Sequence, residues 1–207
     1  IIIIKRNTFS HFNMMIHSGA KRIALKSDIV FDDEDDDFLR GISLDVDDMY
    51  IDGCGHCIDA KNKAHIFNIT GRNIVFEDIV FKNAYSKENG GAISIYSSSC
   101  SFENCKFANN KTLNYGGAIS VGSGSDLKFE NCMFESNIAK RASAVYNVNS
   151  DLKFSNCKFS NNESDSDEVI LSNSLSDITL ENCIPKTINI GEYGSNELSD
   201  GRFGEDG

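Results

Sequence analysis

The sequence predicts an all-β protein, a parallel β-helix of about seven coils with three short strands in each coil and a short capping helix at its N-terminal end. Two observations predict this fold. Two sequence motifs, which supply three columns of equivalent apolar residues, recur in register about every 26 residues, which is typical of a solenoid. Within each repeat, apolar and polar residues alternate with the period of two that β-strands show, and no room is left for a helix.

The first motif reads "FENCKFANN" from Phe102 and "FENCMFESN" from Phe129. It supplies two aromatic columns, in which equivalent residues of successive coils stack on each other. The first column is Phe76, Phe102, Phe129 and Phe154, and the second is Phe81, Phe107, Phe134 and Phe159. The second motif, "GGAIS", begins at Gly90 and Gly116 and has a worn copy, "ASAVY", at Ala142. It supplies an aliphatic column, predicted as Ile93, Ile119, Val145 and Leu171, spaced by 26 residues.

A corner is predicted inside each repeat because the alternation changes phase there. In "DLKFENCMF", Leu127 and Phe129 share one face of a strand, but Cys132 and Phe134 carry the inward pattern after it. Asn131 falls between them, and Asn tolerates the left-handed conformation of tight corners. Equivalent asparagines are expected to hydrogen-bond between neighbouring corners: Asn104, Asn131, Asn156 and Asn182.

Four cysteines occupy one position of the repeat: Cys105, Cys132, Cys157 and Cys183. We expect them to be reduced and buried, as small apolar side chains. Their parallel Cβ vectors are poor geometry for a disulfide, and one thiol in each layer does not make a zinc site.

Three segments are predicted along the chain. Residues 1–20 contain a capping helix with Phe9, Phe12 and Ile16 on one face, a Thr8 cap and Gly19 as a stop signal. Residues 21–190 form the β-helix, and residues 191–207 are a polar, acidic tail that we expect to be flexible. The start, "IIIIKRN", has no Met, and we interpret the chain as a segment of a longer protein.

The charge balance disfavours nucleic acid as a partner. Lys and Arg total 20 against 31 Asp and Glu, a net charge of −11, so the chain repels phosphate backbones. No apolar run is long enough to predict a membrane span, and no motif predicts a cofactor.

The "GGAI" and F-x-x-N motifs resemble those of the chlamydial polymorphic outer-membrane proteins. The longer stretch "IDGCGHCIDAKNKAHIFNITGRNIVFEDIVFKN", followed by "GGAIS" coils, is similar to the adhesin-like surface proteins of methanogenic archaea. This resemblance implies a right-handed β-helix, secretion and an extracellular, cell-surface location. It also implies an adhesive or structural role, with glycans or proteins of another cell as partners and no enzymatic activity.

A binding surface is predicted on one strand of each coil, where side chains next to the aliphatic column are expected to face outward. These candidates are Ser94, Tyr96, Ser120, Tyr146 and Ser172. Tyr supplies contact area and a hydroxyl at little entropic cost, which suits weak contacts repeated in every coil.

The enzymatic alternative is a polysaccharide lyase or glycoside hydrolase, which the β-helix fold also supports. It needs clustered acids and bases, and the sequence offers only His56 and His65, with Asp52 and Asp59 nearby.

The "CGHC" stretch at Cys54 and Cys57 resembles the active-site sequence of the protein disulfide isomerases, whose reactive thiol lies at a helix N-terminus. No helix is predicted after it. A structural disulfide or two free thiols is therefore expected.

Two further kinds of site have sequence signals. An acidic loop, "FDDEDDDF", offers Asp33, Asp35 and Asp37 as calcium ligands, against the alternative of a solvated loop. Three N-x-S/T sequons make Asn68, Asn110 and Asn162 candidates for glycosylation, although Asn110 and Asn162 also fit structural corner positions.

Overall fold

A computed structural model describes residues 7–173, 175–185 and 190–193 of the chain. These residues wind into a parallel β-helix of six complete turns, followed by two strands that extend two of its sheets. The predicted fold class is therefore confirmed. The tail beyond residue 193 and the first six residues lie outside the described residues.

The elements follow the chain in order. Helix α1 is Phe9–Ile16, and the first turn contains β1 (Arg22–Ala24), β2 (Ile29–Val30), a 3-10 helix (Asp36–Phe38) and β3 (Ile42–Leu44). The second turn is β4 (Tyr50–Asp52), β5 (Cys57–Asp59) and β6 (Phe67–Ile69). The third turn is β7 (Ile74–Glu77), β8 (Val80–Lys82), β9 (Tyr85–Ser86) and β10 (Ile93–Ile95). The fourth turn is β11 (Ser99–Glu103), β12 (Lys106–Ala108), β13 (Lys111–Thr112) and β14 (Ile119–Val121).

The remaining turns repeat this order. The fifth turn is β15 (Asp126–Glu130), β16 (Met133–Glu135), β17 (Ile138–Ala139) and β18 (Val145–Asn147). The sixth turn is β19 (Asp151–Ser155), β20 (Lys158–Ser160), β21 (Glu163–Ser164) and β22 (Ile170–Asn173). The last two strands are β23 (Ile178–Glu181) and β24 (Ile190–Tyr193).

Equivalent strands of successive turns pair in parallel and form four sheets. Sheet A is β1-β4-β7-β11-β15-β19-β23, sheet B is β2-β5-β8-β12-β16-β20, and sheet C is β3-β6-β10-β14-β18-β22-β24. The sequence predicted these three strands in each turn. It did not predict sheet D, which consists of the two-residue strands β9, β13, β17 and β21.

Stacked phenylalanines fill the core, as the two aromatic columns predict. The rings of Phe102 and Phe129 lie 5.0 Å apart and nearly parallel, and those of Phe129 and Phe154 lie 4.6 Å apart. In the second column, the Phe107 and Phe134 rings stack at 4.8 Å. Rings of the two columns meet edge to face, so the third to sixth turns pack their aromatic rings against each other.

The corner asparagines between sheets A and B adopt the left-handed conformation, with φ of 53° at Asn104, 54° at Asn131 and 55° at Asn156. Asn182 does the same, with φ of 53°. The predicted conformation is therefore confirmed, but the bonds between corners are made by the backbone. The N–H of Asn104 donates to the carbonyl of Glu130 at 2.9 Å, while the side chains of these asparagines are exposed.

The side-chain asparagine ladder lies instead at the corner between sheets B and D, where it consists of Asn110, Asn137 and Asn162. Nδ2 of Asn110 donates to Oδ1 of Asn137 at 3.0 Å, and Nδ2 of Asn137 donates to Oδ1 of Asn162 at 2.9 Å. Each Nδ2 also donates to the carbonyl of a core phenylalanine one turn earlier. Asn110 and Asn137 are fully buried, so these bonds satisfy interior backbone groups.

Helix α1 covers the start of the solenoid as predicted. Phe9, Phe12 and Ile16 are fully buried, and Oγ1 of Thr8 accepts a hydrogen bond from the third residue of the helix. A second cap comes from Asp35, whose carboxylate accepts the N–H groups of the first two helical residues at 3.1 and 2.9 Å.

The aliphatic column of sheet C departs from the predicted spacing in the sixth turn. Val145 lies opposite Ile170, and Tyr146 lies opposite Leu171, so the predicted place of Leu171 in the column is wrong. The step there is 25 residues, and Ser172 consequently lies one position further along the strand than predicted.

Candidate binding surface

The predicted binding side chains on sheet C are covered by the chain itself. Ser94 and Ser120 are each 4% exposed. The segment before β10 folds back over them, and Oγ of Ser94 donates to the carbonyl of Asn89 at 3.0 Å. Gly90 has φ of 77°, and a Cβ there would lie 2.5 Å from the carbonyl oxygen of Ile93, 2.9 Å from Oγ of Ser94 and 3.1 Å from Cβ of Ser120. The backbone conformation and the backbone clash together explain the glycine of the "GGAIS" motif. The prediction that these serines face solvent is wrong.

Tyr146 replaces serine at this position in the fifth turn and is also buried. Its ring lies 5.1 Å from that of Tyr115 and packs with Ala142, Val148 and Leu171 in a small cluster outside sheet C. The exposed position predicted for Tyr146 is therefore wrong.

The last two binding candidates of sheet C, Tyr96 and Ser172, are not exposed either. Tyr96 is half-buried, since its ring lies over Gly122 of the next turn, and burial raises the pKa of its hydroxyl. Ser172 is buried, and its Oγ accepts a hydrogen bond from Asn147 at 3.1 Å.

The three carboxylates proposed for calcium serve different local contacts. Asp35 is 1% exposed and caps α1, while Asp33 forms an ion pair with Lys63 and Asp37 is exposed. Among the described residues, no group of three or more His, Cys, Asp or Glu side chains is placed to hold a metal ion. The structure does not bring these three carboxylates together, because the loop turns Asp35 inward, toward the helix.

The asparagines of the sequons are engaged through the nitrogen that a glycan would modify. Nδ2 of Asn110 is buried and donates two hydrogen bonds, so the predicted glycosylation of Asn110 is inconsistent with the folded chain. Nδ2 of Asn162 donates to Phe134 at 2.9 Å, and that of Asn68 donates to Arg40 at 2.7 Å. Both asparagines are half-buried, which argues against modification there too.

The thiols of "CGHC" are free and are not activated. Cys54 is exposed, and a hydrogen bond with Asp52 raises its pKa, while burial raises the pKa of Cys57. No helix follows them; Cys57 begins β5. A redox thiol needs a lowered pKa, so the geometry supports two free thiols.

The cysteine column is buried and free, as predicted. Cys105, Cys132 and Cys157 are at most 2% exposed, and Cys183 is 8% exposed. Hydrogen bonding to the thiols of Cys105 and Cys157, together with burial, raises the pKa of Cys132 above its ordinary value.

The groups considered for acid–base catalysis do not form one site, because each of them contacts different neighbours. Nδ1 of His65 lies 3.2 Å from the carbonyl of Gly91, and burial lowers the pKa of His65 to about 4. Asp59 is nearly buried, and despite that burial a hydrogen bond from Asn83 helps to lower the pKa of its carboxyl.

His56 is paired with an acid that sequence reasoning did not identify. Its Nδ1 lies 3.3 Å from Oδ1 of Asp28, a residue of the preceding turn. Asp28 is 28 positions away in the chain, and only the coil register brings the two together.

The outer side of sheet A carries outward-facing side chains in every strand, which we call the sheet A face. Those of β4 and β7 are half-buried, and each of the other five strands exposes at least one. The face has two columns that flank the inward aromatic column. The middle column is Arg22, Tyr50, Val75, Ser101, Lys128, Lys153 and Thr179. The second column is acidic at five of its last six positions: Asp52, Glu77, Glu103, Glu130, Ser155 and Glu181. The alternation in "DLKFE" indicates these two outward columns, since Lys128 and Glu130 lie on either side of the inward Phe129.

At the start of the sheet A face, a guanidinium, a tyrosine ring and a carboxylate contact each other, an arrangement that the sequence did not reveal. The guanidinium of Arg22 lies 4.2 Å from the centre of the Tyr50 ring, a cation–π contact. The hydroxyl of Tyr50 donates to Glu77 on the next strand. Further along, Lys153 and Glu181 form an ion pair at 2.9 Å, which lowers the pKa of Glu181.

Within the described ranges, no helix is both long and apolar enough to cross a bilayer. A protein family described as "Right handed beta helix region" matches residues 2–202. The searches of curated proteins and of solved structures found no match. The family match spans nearly the whole length and agrees with the parallel turns of sheets A to D. The chain therefore belongs to the right-handed β-helix family.

Proposed function

We propose that this chain is an adhesin-like module of a cell-surface protein, which attaches through the sheet A face or serves as a structural stalk. The observation that carries the proposal is the in-register repetition of outward-facing side chains along the seven strands of sheet A, some of which are exposed in five of those strands. With about 4.8 Å between strands, the face extends for roughly 30 Å.

The repetition suits multivalent attachment. Each turn presents a similar pair of outward positions, such as Lys128 with Glu130 in β15. A single contact of this kind contributes little, but many aligned contacts add up through effective concentration. The stacked phenylalanines of the core resist bending, since displacing one turn would separate rings on both of its sides.

The acidic column indicates the chemistry of the partner. Glu103 and Glu130 are exposed and lie opposite each other on neighbouring strands. Like charges at this spacing repel each other, and a cationic partner group relieves that repulsion. The proposed partners are therefore proteins or glycans that carry cationic groups, in preference to anionic glycans.

The cell-surface location and the link to another cell rest on the resemblance of the "GGAIS" coils and the F-x-x-N motifs to surface adhesins. The absence of enzymatic activity is part of the same proposal.

The enzymatic alternative has one observation in its favour. Glu77 accepts a hydrogen bond from the hydroxyl of Tyr50, beside the guanidinium of Arg22, on the outer side of sheet A. A carboxylate, a phenol and a cation in one cluster are groups that a polysaccharide lyase or a glycoside hydrolase could use.

One experiment separates the two functions. The protein is displayed multivalently on beads and tested against a glycan array and whole cells, and the same preparation is incubated with polysaccharides. The proposal predicts retention that weakens as salt concentration rises, with no release of reducing or unsaturated sugar ends. Release of such ends, abolished in Glu77→Gln and Tyr50→Phe, would establish the enzyme instead.

A further inference from the structure

The first three strands of sheet D carry a mixed apolar and cationic surface on their outer side, which we call the sheet D face. Each of the third, fourth and fifth turns contributes two side chains, from the first residue of the strand and from the residue that follows the strand. Side chains alternate along a strand, so these two positions share one side. The residue between them is buried in the fourth and fifth turns. The six residues of the face are Tyr85, Lys87, Lys111, Leu113, Ile138 and Lys140.

Apolar and cationic side chains alternate across the sheet D face in both directions. At the first position, Tyr85 lies opposite Lys111, and Lys111 lies opposite Ile138. At the second position the order is reversed, with Lys87, Leu113 and Lys140. Leu113 is 51% exposed and Ile138 is 39% exposed. Each lysine therefore has an apolar side chain beside it, both within its own turn and in the neighbouring turn.

The lysines of this face have no acidic partner within the part of the chain that the structure describes. They are exposed and form no ion pair, although the chain has 31 acidic residues against 20 basic ones. On the neighbouring sheet B, by contrast, Lys106 pairs with Glu135. The acids nearest to the face in the chain or across the strands are Glu88, Glu163 and Asp165. The last two lie in the sixth turn, where the cationic surface ends.

We propose that the sheet D face binds the surface of a lipid bilayer that contains anionic lipids. The three ammonium groups would contact lipid phosphates, while the side chains of Tyr85, Leu113 and Ile138 enter the boundary between headgroups and acyl chains. A soluble polyanion would satisfy the lysines but would leave Leu113 and Ile138 in water, so the two exposed aliphatic side chains favour a bilayer. Each lysine near an anionic membrane strengthens binding by about a factor of five.

The position of sheet D leaves the sheet A face accessible. From the third turn to the sixth, the chain passes through sheets A, B, D and C in that order, so sheet D lies across the solenoid from sheet A. A molecule bound to a membrane through the sheet D face would therefore direct the sheet A face away from the lipid. The inference goes beyond the proposed function and does not depend on it.

Flotation of the full chain with lipid vesicles tests the role of the lysines. The wild type should bind vesicles of phosphatidylcholine mixed with phosphatidylglycerol, and it should not bind phosphatidylcholine alone. Replacing Lys87, Lys111 and Lys140 with serine should lower the partition coefficient about a hundredfold. The matched control replaces three exposed lysines on other faces with serine and should bind as the wild type does: Lys26, Lys128 and Lys153. Absence of wild-type binding to the anionic vesicles, or equal losses in the two variants, would overturn the proposal.

The same assay tests the apolar side chains. Leu113→Ser combined with Ile138→Ser should lower the partition coefficient at least about fivefold, because less apolar area leaves water on binding. The matched control combines Met14→Ser and Leu175→Ser, two exposed apolar positions at the ends of the solenoid, and should leave binding unchanged. Unchanged binding of the first variant would overturn the bilayer as the ligand and identify a soluble polyanion instead.

A tryptophan reporter shows directly whether the face enters the membrane. The chain contains no Trp, so Tyr85→Trp introduces a single reporter on the sheet D face, and Thr179→Trp introduces one at an exposed position of the sheet A face. Anionic vesicles with brominated acyl chains should quench the emission of Tyr85→Trp and leave that of Thr179→Trp unchanged. Quenching of both reporters, of neither, or of Thr179→Trp alone would refute the proposal.

Discussion

Replacing Asn137 with Ala should destabilise the protein by about 3–5 kcal/mol, because it removes the centre of the asparagine ladder. Nδ2 of Asn137 donates to the carbonyl of Phe107 at 3.0 Å and to Oδ1 of Asn162 at 2.9 Å. Its Oδ1 accepts from the N–H of Asn110 at 3.1 Å and from Nδ2 of Asn110 at 3.0 Å. Each buried hydrogen bond contributes about 1 kcal/mol net, and a donor or acceptor left without a partner costs more.

The assay is equilibrium unfolding in urea, followed by circular dichroism, with Asn131→Gly as the matched control. Asn131 is exposed and has φ of 54°, a conformation that glycine adopts without strain. We expect the control to change the free energy of unfolding by less than about 1 kcal/mol. A loss below about 1 kcal/mol for Asn137→Ala, or equal losses for both variants, would refute the assignment of the ladder to the corner between sheets B and D.

Three further predictions follow from buried groups. Alkylation of the native protein should label Cys54 and leave Cys100 unlabelled until denaturation, because burial raises the pKa of Cys100 to about 12; rapid native labelling of Cys100 would contradict the packing. The pKa of His65 is about 4 in the folded chain and near 6.5 in the unfolded chain, so the unfolded chain binds the proton first as the pH decreases. The free energy of unfolding should therefore decrease by about 2 kcal/mol between pH 7 and pH 5, and this decrease should be absent in His65→Gln. Tyr146→Ala should lower the free energy of unfolding in urea by about 2–4 kcal/mol, whereas the control Leu113→Ala, at an exposed position, should lower it by less than about 1 kcal/mol. Equal losses would mean that Tyr146 does not pack as described.

The repeat made the fold predictable from the sequence. A strand in every turn places equivalent residues above each other, so the spacing of Phe102, Phe129 and Phe154 already specifies the stack that the structure shows. The same reasoning placed the left-handed corner at Asn131 and the buried column at Cys132. The capping face of α1 followed from its helical periodicity.

The candidate site was less predictable, because alternation shows which way a side chain points but not what lies over it. Ser94 and Ser120 do point away from the core, but the turn at Gly90 packs against them. The buried ladder was predicted at Asn131 instead of Asn137, because two asparagine columns recur with the same period. A step of 25 residues moved Ser172 out of the predicted column, and one-residue shifts of this kind reverse the side of a strand.

The most direct test of the central claim compares two faces of the solenoid in one binding assay. The first variant combines Lys128→Ser and Glu130→Gln on the sheet A face, and the matched variant combines Lys111→Ser and Glu163→Gln on sheet D. All four side chains are exposed, and each pair removes one positive and one negative charge, so the net charge is the same in both variants. Retention of multivalent displays on cells or glycans should fall in the sheet A variant and remain at the wild-type level in the sheet D variant. Equal retention of both variants and the wild type, or a loss confined to the sheet D variant, would contradict attachment through the sheet A face.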